Sequence, residues 1–157
     1  MAKQTRLTKN FTLEECLVSA TAKARGIANT PTAEHLANIR DVLAPGMQIV
    51  RELVGRPVVI TSAYRNARVN KLVGGVPNSD HTNGFAADFM VPGWTPLLTA
   101  QVIAAAMRPD EELYGKVDQL ILESGRGVVH LSFAPRRRGQ ILTQSGGPGT
   151  PVVKGLK

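Results

Sequence analysis

The stretch Ser79-Asp80-His81-Thr82-Asn83-Gly84-Phe85-Ala86-Ala87-Asp88 offers an imidazole and a carboxylate seven residues apart, with small residues between them. His81 lies among residues that favour loops, whereas Asp88 begins the apolar run Phe89-Met90-Val91, which indicates a strand. A ligand on a loop and a ligand on the strand that follows it can converge on one point. The stretch therefore predicts two polar groups that face the same site.

A second imidazole, His130, lies in the alternating run Val128-Val129-His130-Leu131-Ser132, which predicts another strand. A single histidine in a strand is more often a surface or a satisfied core residue than a ligand. A neighbouring strand can nevertheless bring His130 beside His81 and Asp88. Two histidines and one aspartate suit zinc and leave a fourth position for water or substrate. The three residues therefore predict a catalytic zinc site, as in a zinc hydrolase.

The pattern Ser-x-His-x-x-Gly-x-Ala-x-Asp, with Ser62-Ala63-Tyr64-Arg65-Asn66 before it and the His130 strand after it, resembles the zinc D-alanyl-D-alanine carboxypeptidase family. That family includes L-alanyl-D-glutamate endopeptidases of peptidoglycan, many of them phage endolysins. Residues 10–15, 66–70 and 74–76 resemble the phage-type branch. The resemblance implies that zinc is the cofactor and peptidoglycan the substrate. It also implies that the zinc ligands are His81, Asp88 and His130.

The general base is less clear from the sequence. Many relatives carry an acidic or imidazole residue shortly before the last histidine ligand, where this chain has Gly125, Arg126, Gly127 and Val128. The nearest acid is Glu123, at the other end of a predicted hairpin whose strands lie within side-chain reach of each other. Glu123 is therefore the candidate base, and a surface glutamate at a strand end is the equally weighted alternative. Asp118, further back in the same strand, is a weaker candidate.

Two further residues are candidates for contact with the substrate. The resemblance implies that Arg65 points into the cleft, where its planar fork suits a carboxylate of a stem peptide. A surface arginine is the alternative. Ser79 is expected either to form a hydrogen bond with the substrate or to hold the loop that carries His81.

Bulk composition is that of an ordinary globular chain. The 157 residues are 43% hydrophobic and 20% charged, which predicts one domain. The single cysteine, Cys16, excludes an internal disulfide and a cysteine-based zinc site. No apolar run approaches a membrane span, and no apolar region follows the basic N-terminus as in a signal peptide. We expect synthesis in a host cytoplasm without membrane insertion. The protein would then act on the wall after release or be carried in a virion.

The net charge of +7 favours a polyanionic partner, although solubility alone could explain it. Nucleic acid is one candidate, but only 4% of the residues are aromatic and no helix-turn-helix pattern is present in the sequence. Anionic cell wall is the other candidate and agrees with the predicted zinc site. We therefore expect the protein to bind peptidoglycan and no nucleic acid. We also expect it to be a monomer.

Helices are predicted early in the chain and strands later, which indicates an α+β fold. We expect a small, mainly antiparallel sheet covered by helices, with the zinc site on its open face. Thr12 and Thr30 are predicted helix caps, and Pro45-Gly46 is expected to break or kink the second helix. The predicted peptidase domain comprises residues 10–135. Residues 1–9 and 136–157 are expected to be basic, loosely ordered extensions.

These observations favour a zinc peptidase that hydrolyses peptidoglycan stem peptides, as an endopeptidase or a D,D-carboxypeptidase. A phage lysis enzyme or a virion-associated hydrolase would have this activity. The alternative is a non-catalytic zinc-fold module that binds the wall or serves in a virion, and the lack of an acid just before His130 supports it.

Overall fold

The structure is a computed structural model that describes residues 3–147 and 149–157. Short helices dominate the first half of the chain and strands the second half, which confirms the α+β prediction. The elements in chain order are α1 (Leu13–Leu17), α2 (Ala20–Arg25), α3 (Ala33–Asn38), a π-helical turn (Ile39–Leu43), α4 (Ala44–Val54), β1 (Val59–Ser62), α5 (Ala67–Leu72), α6 (Asp80–Asn83), β2 (Ala86–Met90), α7 (Pro96–Ala106), β3 (Gln119–Glu123), β4 (Val128–Ser132), β5 (Gln140–Thr143) and β6 (Val153–Lys154).

The strands form one six-stranded sheet in the order β1-β2-β4-β3-β5-β6. Every neighbouring pair is antiparallel except β3 and β5, which run parallel. The register pairs Asp88 of β2 with His130 of β4, and His130 with Ile121 of β3. The mainly antiparallel sheet is thus confirmed, and its register aligns two of the candidate ligands across adjacent strands.

Alternation along the strands divides the sheet into two faces. One face carries the buried apolar side chains of the core, including Phe89, Leu120 and Leu131, which belong to the same cluster as Met47 of α4 and Ile103 of α7. The opposite face carries His130, its cross-strand partners Asp88 and Ile121, and the residues two positions away from them along each strand, such as Glu123. Asp88, His130 and Glu123 therefore lie on the face that these helices leave open.

The capping box predicted at Thr12 is present: its hydroxyl accepts from the Glu15 amide, and the Glu15 carboxylate accepts from the Thr12 amide at 2.7 Å. The cap of the next long helical segment differs from the prediction. Thr32, rather than Thr30, caps α3, because its hydroxyl accepts from the His35 amide at 3.1 Å.

The predicted break at Pro45-Gly46 does not occur, and helical residues run continuously from 33 to 54. A π-helical turn precedes Pro45, in which the Ala44 amide donates to the Ile39 carbonyl. Pro45 directly follows this π-helical turn, and such a turn lets a continuous helix accommodate a residue that lacks the amide donor. Gly46 lies under the ring of Phe133, and a Cβ atom there would be 2.6 Å from Phe133 Cζ. The glycine therefore permits close approach of α4 to the chain after β4 instead of ending the helix.

The C-terminal segment also differs from the prediction of a loosely ordered extension. Residues 140–143 form β5 beside β3, and Val153–Lys154 forms β6 beside β5. Leu156 packs against the core, and the Lys157 amide donates to the Thr143 hydroxyl at 3.1 Å. The described residues of this segment therefore complete the sheet, because β3 offers them a backbone edge that local sequence patterns do not reveal.

The N-terminal lead-in is attached to α1. Arg6 forms an isolated bridge with Thr12, and the Thr5 amide donates to the Glu14 carboxylate at 2.9 Å. Residues 1 and 2 of the predicted extension lie outside the described residues, as does Pro148 of the C-terminal one. Within the described part of the chain, none of the helices has the length and apolar character needed to cross a bilayer.

Candidate metal centre

His81 is held by a short helix, α6, where the sequence predicted a loop. Ser79 caps this helix: its hydroxyl accepts from the His81 amide at 3.2 Å, and its carbonyl accepts from the Thr82 hydroxyl at 2.6 Å. Gly84 ends the helix in a left-handed conformation with φ 82°. The turn directs the His81 ring inward, where the residue is only 3% exposed.

The register of the sheet brings the other two candidate ligands to the same point. Asp88 and His130 are direct cross-strand partners, and His130 Nδ1 lies 3.0 Å from Asp88 Oδ1. His81 Nε2 lies 3.2 Å from that same oxygen. One donor atom from each residue lies within 4.8 Å of the other two. The structure therefore brings together the three residues that the sequence singled out.

The hydrogen bonding of His81 indicates which of its ring nitrogens is available to a metal. Its Nδ1 is 2.7 Å from the Ala63 carbonyl, which can only accept, so Nδ1 carries the proton. Burial lowers the pKa of His81, which favours the neutral ring, and the Nε2 atom of a neutral ring presents a lone pair to Asp88. Two acceptors 3.2 Å apart repel each other unless a cation lies between them.

Zinc fits this arrangement. With bonds of about 2.0–2.1 Å, two ligand atoms of a zinc tetrahedron lie about 3.3 Å apart, close to the observed 3.0 and 3.2 Å. Two imidazoles and one carboxylate are ordinary zinc ligands, and a carbonyl that accepts from the free ring nitrogen fixes the tautomer. His81 would bind through Nε2, and His130 through Nδ1.

Glu123 lies at the end of β3 on the same face of the sheet and lines the cleft. It is 7% exposed, and its carboxylate lies 3.4 and 3.5 Å from Nη1 of Arg126. Burial, followed by the charge of Asp88, raises the pKa of Glu123. A carboxylate whose pKa is raised towards neutrality is better suited to accept a proton and return it.

Asp118, the weaker candidate base, has a different role. It is fully buried, and its carboxylate accepts from the Arg138 amide at 3.1 Å and from the Arg138 guanidinium at 2.9 and 2.8 Å. These bonds tie the segment before β5 to the start of β3. Of the two acids considered from the sequence, only Glu123 lines the cleft.

Arg65 lies after β1 and lines the same cleft. It is 9% exposed, and burial lowers its pKa against the opposing charges of Asp88 and Glu123. Among the described residues its side chain forms one hydrogen bond, a long one in which Nη1 lies 3.4 Å from the Ser62 hydroxyl, and its Nε has no partner. Arg65 is thus a buried guanidinium with donors to spare. Ser79 also lines the cleft, although its hydroxyl already accepts from His81.

A second polar network connects the two segments that carry the histidines. The Ser132 hydroxyl donates to Asp80 at 2.6 Å, so the residue before His81 is bonded to the residue two positions after His130. The guanidinium of Arg136 also donates to Asp80. No local sequence pattern marks this network, since its members are far apart in the chain and become neighbours only in the folded sheet.

The cleft has a volume of about 360 Å³ and two walls that the sequence analysis did not identify. One wall is formed by residues 73–76, after α5. The other includes Gln144, Gly149 and Val152 of the C-terminal segment, together with Arg126 in the turn between β3 and β4. No local signal marked the C-terminal residues. Arg126 could have been identified from its place in the hairpin between Glu123 and His130.

The family model for peptidase M15 matches residues 9–121. The matched segment includes His81 and Asp88 but ends before Glu123 and His130, which the hairpin of β3 and β4 places beside them. A search of curated proteins finds no match. M15 peptidases depend on a metal, in agreement with the His-Asp-His cluster. Because the match spans most of the chain and confirms the resemblance to the zinc D-alanyl-D-alanine carboxypeptidase family, the chain belongs to the peptidase M15 family.

Proposed function

We propose that the protein is a zinc-dependent peptidase that hydrolyses the stem peptides of peptidoglycan. The observation that carries this proposal is the convergence of His81, Asp88 and His130 in a cleft that also contains Glu123. Membership of a peptidase family supports the reaction class. The presence of Glu123 in the cleft supports an enzyme over a non-catalytic wall-binding module.

His81, Asp88 and His130 would hold the zinc ion, which when bound polarises the scissile carbonyl and acidifies a water molecule. Glu123 accepts a proton from the attacking water and then donates it to the nitrogen of the leaving amine. Its buried position keeps bulk water from competing for that proton. Arg126 contacts the Glu123 carboxylate and thereby orients it.

Arg65 binds a carboxylate of the substrate through a planar fork, which fixes the direction of the peptide relative to the metal. Both a D-alanyl-D-alanine bond and an L-alanyl-D-glutamate bond have a carboxylate on the carbon that carries the leaving nitrogen. Arg65 can therefore serve an endopeptidase and a carboxypeptidase equally. Ser79 contributes a hydroxyl at the edge of the cleft while it holds α6.

The positive charge of the chain supports a site of action at the anionic cell wall. We place the enzyme, as a monomer, among phage lysis enzymes or virion-associated hydrolases. The similarity of residues 10–15, 66–70 and 74–76 to the phage-type branch supports this role.

The test is analysis of the products released from purified Gram-negative sacculi. Protein loaded with one equivalent of zinc should generate one new type of amino terminus, which mass spectrometry identifies and which names the bond. A chelator should stop the release, and added zinc should restore it. Protein that binds sacculi and holds zinc, yet releases no product, would be a wall-binding module instead.

A further inference from the structure

Arg126 occupies the turn between β3 and β4, with a glycine on either side. Its Nη2 lies 3.9 Å from Asp88 Oδ2, the carboxylate oxygen that does not face the histidines. Its Nη1 lies 3.4 and 3.5 Å from the two oxygens of Glu123. These contacts are long for charged hydrogen bonds, and 40% of the side chain is exposed. The guanidinium thus lies over the metal site and keeps donors available.

The C-terminal segment holds this turn in position. The Gln144 amide donates to the Leu122 carbonyl at 2.9 Å, which extends the ladder between β5 and β3 up to the turn. Gly125 contacts the backbone of Ser145 so closely that a Cβ atom at this position would collide with the Ser145 carbonyl. The turn therefore packs against the backbone of the C-terminal segment, which fixes the position from which the Arg126 side chain enters the cleft.

The charges around the cleft are balanced at one end. Arg136 pairs with Asp80 and Asp118, and Arg138 pairs with Asp118. Each guanidinium at this end is thus matched by a carboxylate of the protein itself.

At the end of the cleft that contains the candidate metal ligands, the basic side chains are Arg65 and Arg126. Among the described acidic residues, those that interact with these two arginines are Asp88 and Glu123. The charges of these two arginines and two carboxylates cancel. A bound divalent cation would therefore give this end of the cleft a net charge of about +2. Such a surplus in a partly desolvated cleft attracts anions strongly. Arg65, with its unpartnered Nε, accounts for one of them.

We propose that Arg126 is a specificity residue that binds a second carboxylate of the substrate, so that the enzyme selects peptides with two carboxylates. Arg65 binds the carboxylate beside the scissile bond, and Arg126 binds one further along the peptide. The inference rests on the proposed function and defines its substrate class. Stem peptides meet the requirement, since their acidic residues retain free carboxylates unless they are amidated.

The test compares two short stem-type peptides that keep the carboxylate beside the scissile bond. In one the distal carboxylate is free, and in the other it is a carboxamide. A hydrogen bond to a charged partner predicts that wild-type enzyme has a KM about tenfold to hundredfold lower for the free acid, with similar kcat. Arg126→Gln should lose this preference. Arg108→Gln, which removes the same charge from an exposed site outside the cleft, should retain it.

Calorimetry with non-hydrolysable analogues of both peptides provides a readout that does not depend on turnover. The same fold difference in affinity should be present in wild type and absent in Arg126→Gln. Hydrolysis with an undiminished preference in Arg126→Gln would overturn the inference and leave the proposed function intact. A fall in kcat that is equal on both peptides, with the KM preference retained, would also overturn it, because Arg126 would then act only through Glu123. Absence of any hydrolysis would count against the proposed function, whereas the affinities would still decide the role of Arg126.

Discussion

At the scale of single residues, the two ring nitrogens of His81 have separate tasks. Nδ1 donates to the Ala63 carbonyl, which fixes the tautomer and leaves Nε2 free to bind a metal. The carbonyl belongs to the segment just after β1. The orientation of the His81 ring therefore depends on β1, which β2 separates from β4, the strand that carries His130. A residue without this pair of nitrogens cannot satisfy both partners.

Replacement of His81 by alanine should therefore abolish stoichiometric zinc and, with it, activity. Elemental analysis of the dialysed protein is the measurement. His35→Ala is the control, because His35 contacts Tyr64 and does not line the cleft. A full equivalent of zinc in His81→Ala would exclude it as a ligand.

Glu123→Gln should retain zinc but lose about 10²–10⁴-fold in kcat, the usual contribution of a proton-transfer group. Glutamine preserves the shape of the side chain and cannot accept a proton at neutral pH. Zinc content and steady-state kinetics are measured together. Glu112→Gln is the matched control, since Glu112 is exposed and lies outside the cleft. Near-normal turnover in Glu123→Gln would transfer the role of base to another group.

The residues expected at the site from the sequence are those with distinctive chemistry. The histidine and carboxylate pattern predicted His81, Asp88 and His130, and the hairpin predicted that Glu123 lies near them. The contacts that orient these groups could not be predicted. The Ala63 carbonyl, for example, carries no side-chain signal and acts only through its position in space.

At the scale of elements, strands β1 to β4 follow from runs of β-branched and apolar residues, and the hairpin follows from its glycine-containing turn. Strands β5 and β6 could not be predicted, because they lie in a basic, glycine-rich segment and β6 is only two residues long. The stability of β5 comes from parallel pairing with β3, which is a non-local contact. The composition of residues 136–157 predicted a loosely ordered segment, whereas pairing with β3 orders β5.

The ion pair of Asp118 and Arg138 fastens β5 to β3 and gives a prediction about pH. Burial raises the pKa of Asp118, but hydrogen bonds from Arg138 and the charge of Arg136 outweigh it, so the pKa lies below 3.8. A lowered folded-state pKa stabilises the protein above the unfolded-state value of about 3.9 and ceases to do so as the pH falls through the folded value.

In metal-free protein at pH 7, Asp118→Asn should therefore lower the free energy of unfolding by about 1–3 kcal/mol, since the partner arginines are partly exposed. The difference from wild type should shrink below about pH 4. Urea denaturation at several pH values measures both quantities. Asp110→Asn, at an exposed turn, is the control. A difference that is independent of pH would show that the ion pair is not its cause.

At the scale of the whole molecule, a net charge of +7 should recruit the protein to the anionic wall. Interactions between exposed charges are screened beyond about 10 Å at 0.1 M salt. Activity on whole sacculi should therefore fall as the salt concentration rises, whereas activity on a short soluble peptide should change little. Initial rates on both substrates across a salt series are the measurement. Equal sensitivity of the two would reject recruitment by charge.

The close approach of Gly46 to Phe133 provides a spectroscopic reporter of the assembled core. A Cβ atom on Gly46 would be 2.6–2.7 Å from Cζ and from both Cε atoms of Phe133, so one α-proton of this glycine points at the face of the ring. The ring current should shift that proton strongly upfield in the ¹H NMR spectrum. Only 4% of the residues are aromatic, so few other resonances are displaced in this way. Its return to an ordinary glycine position during denaturation would mark the moment at which α4 separates from the sheet.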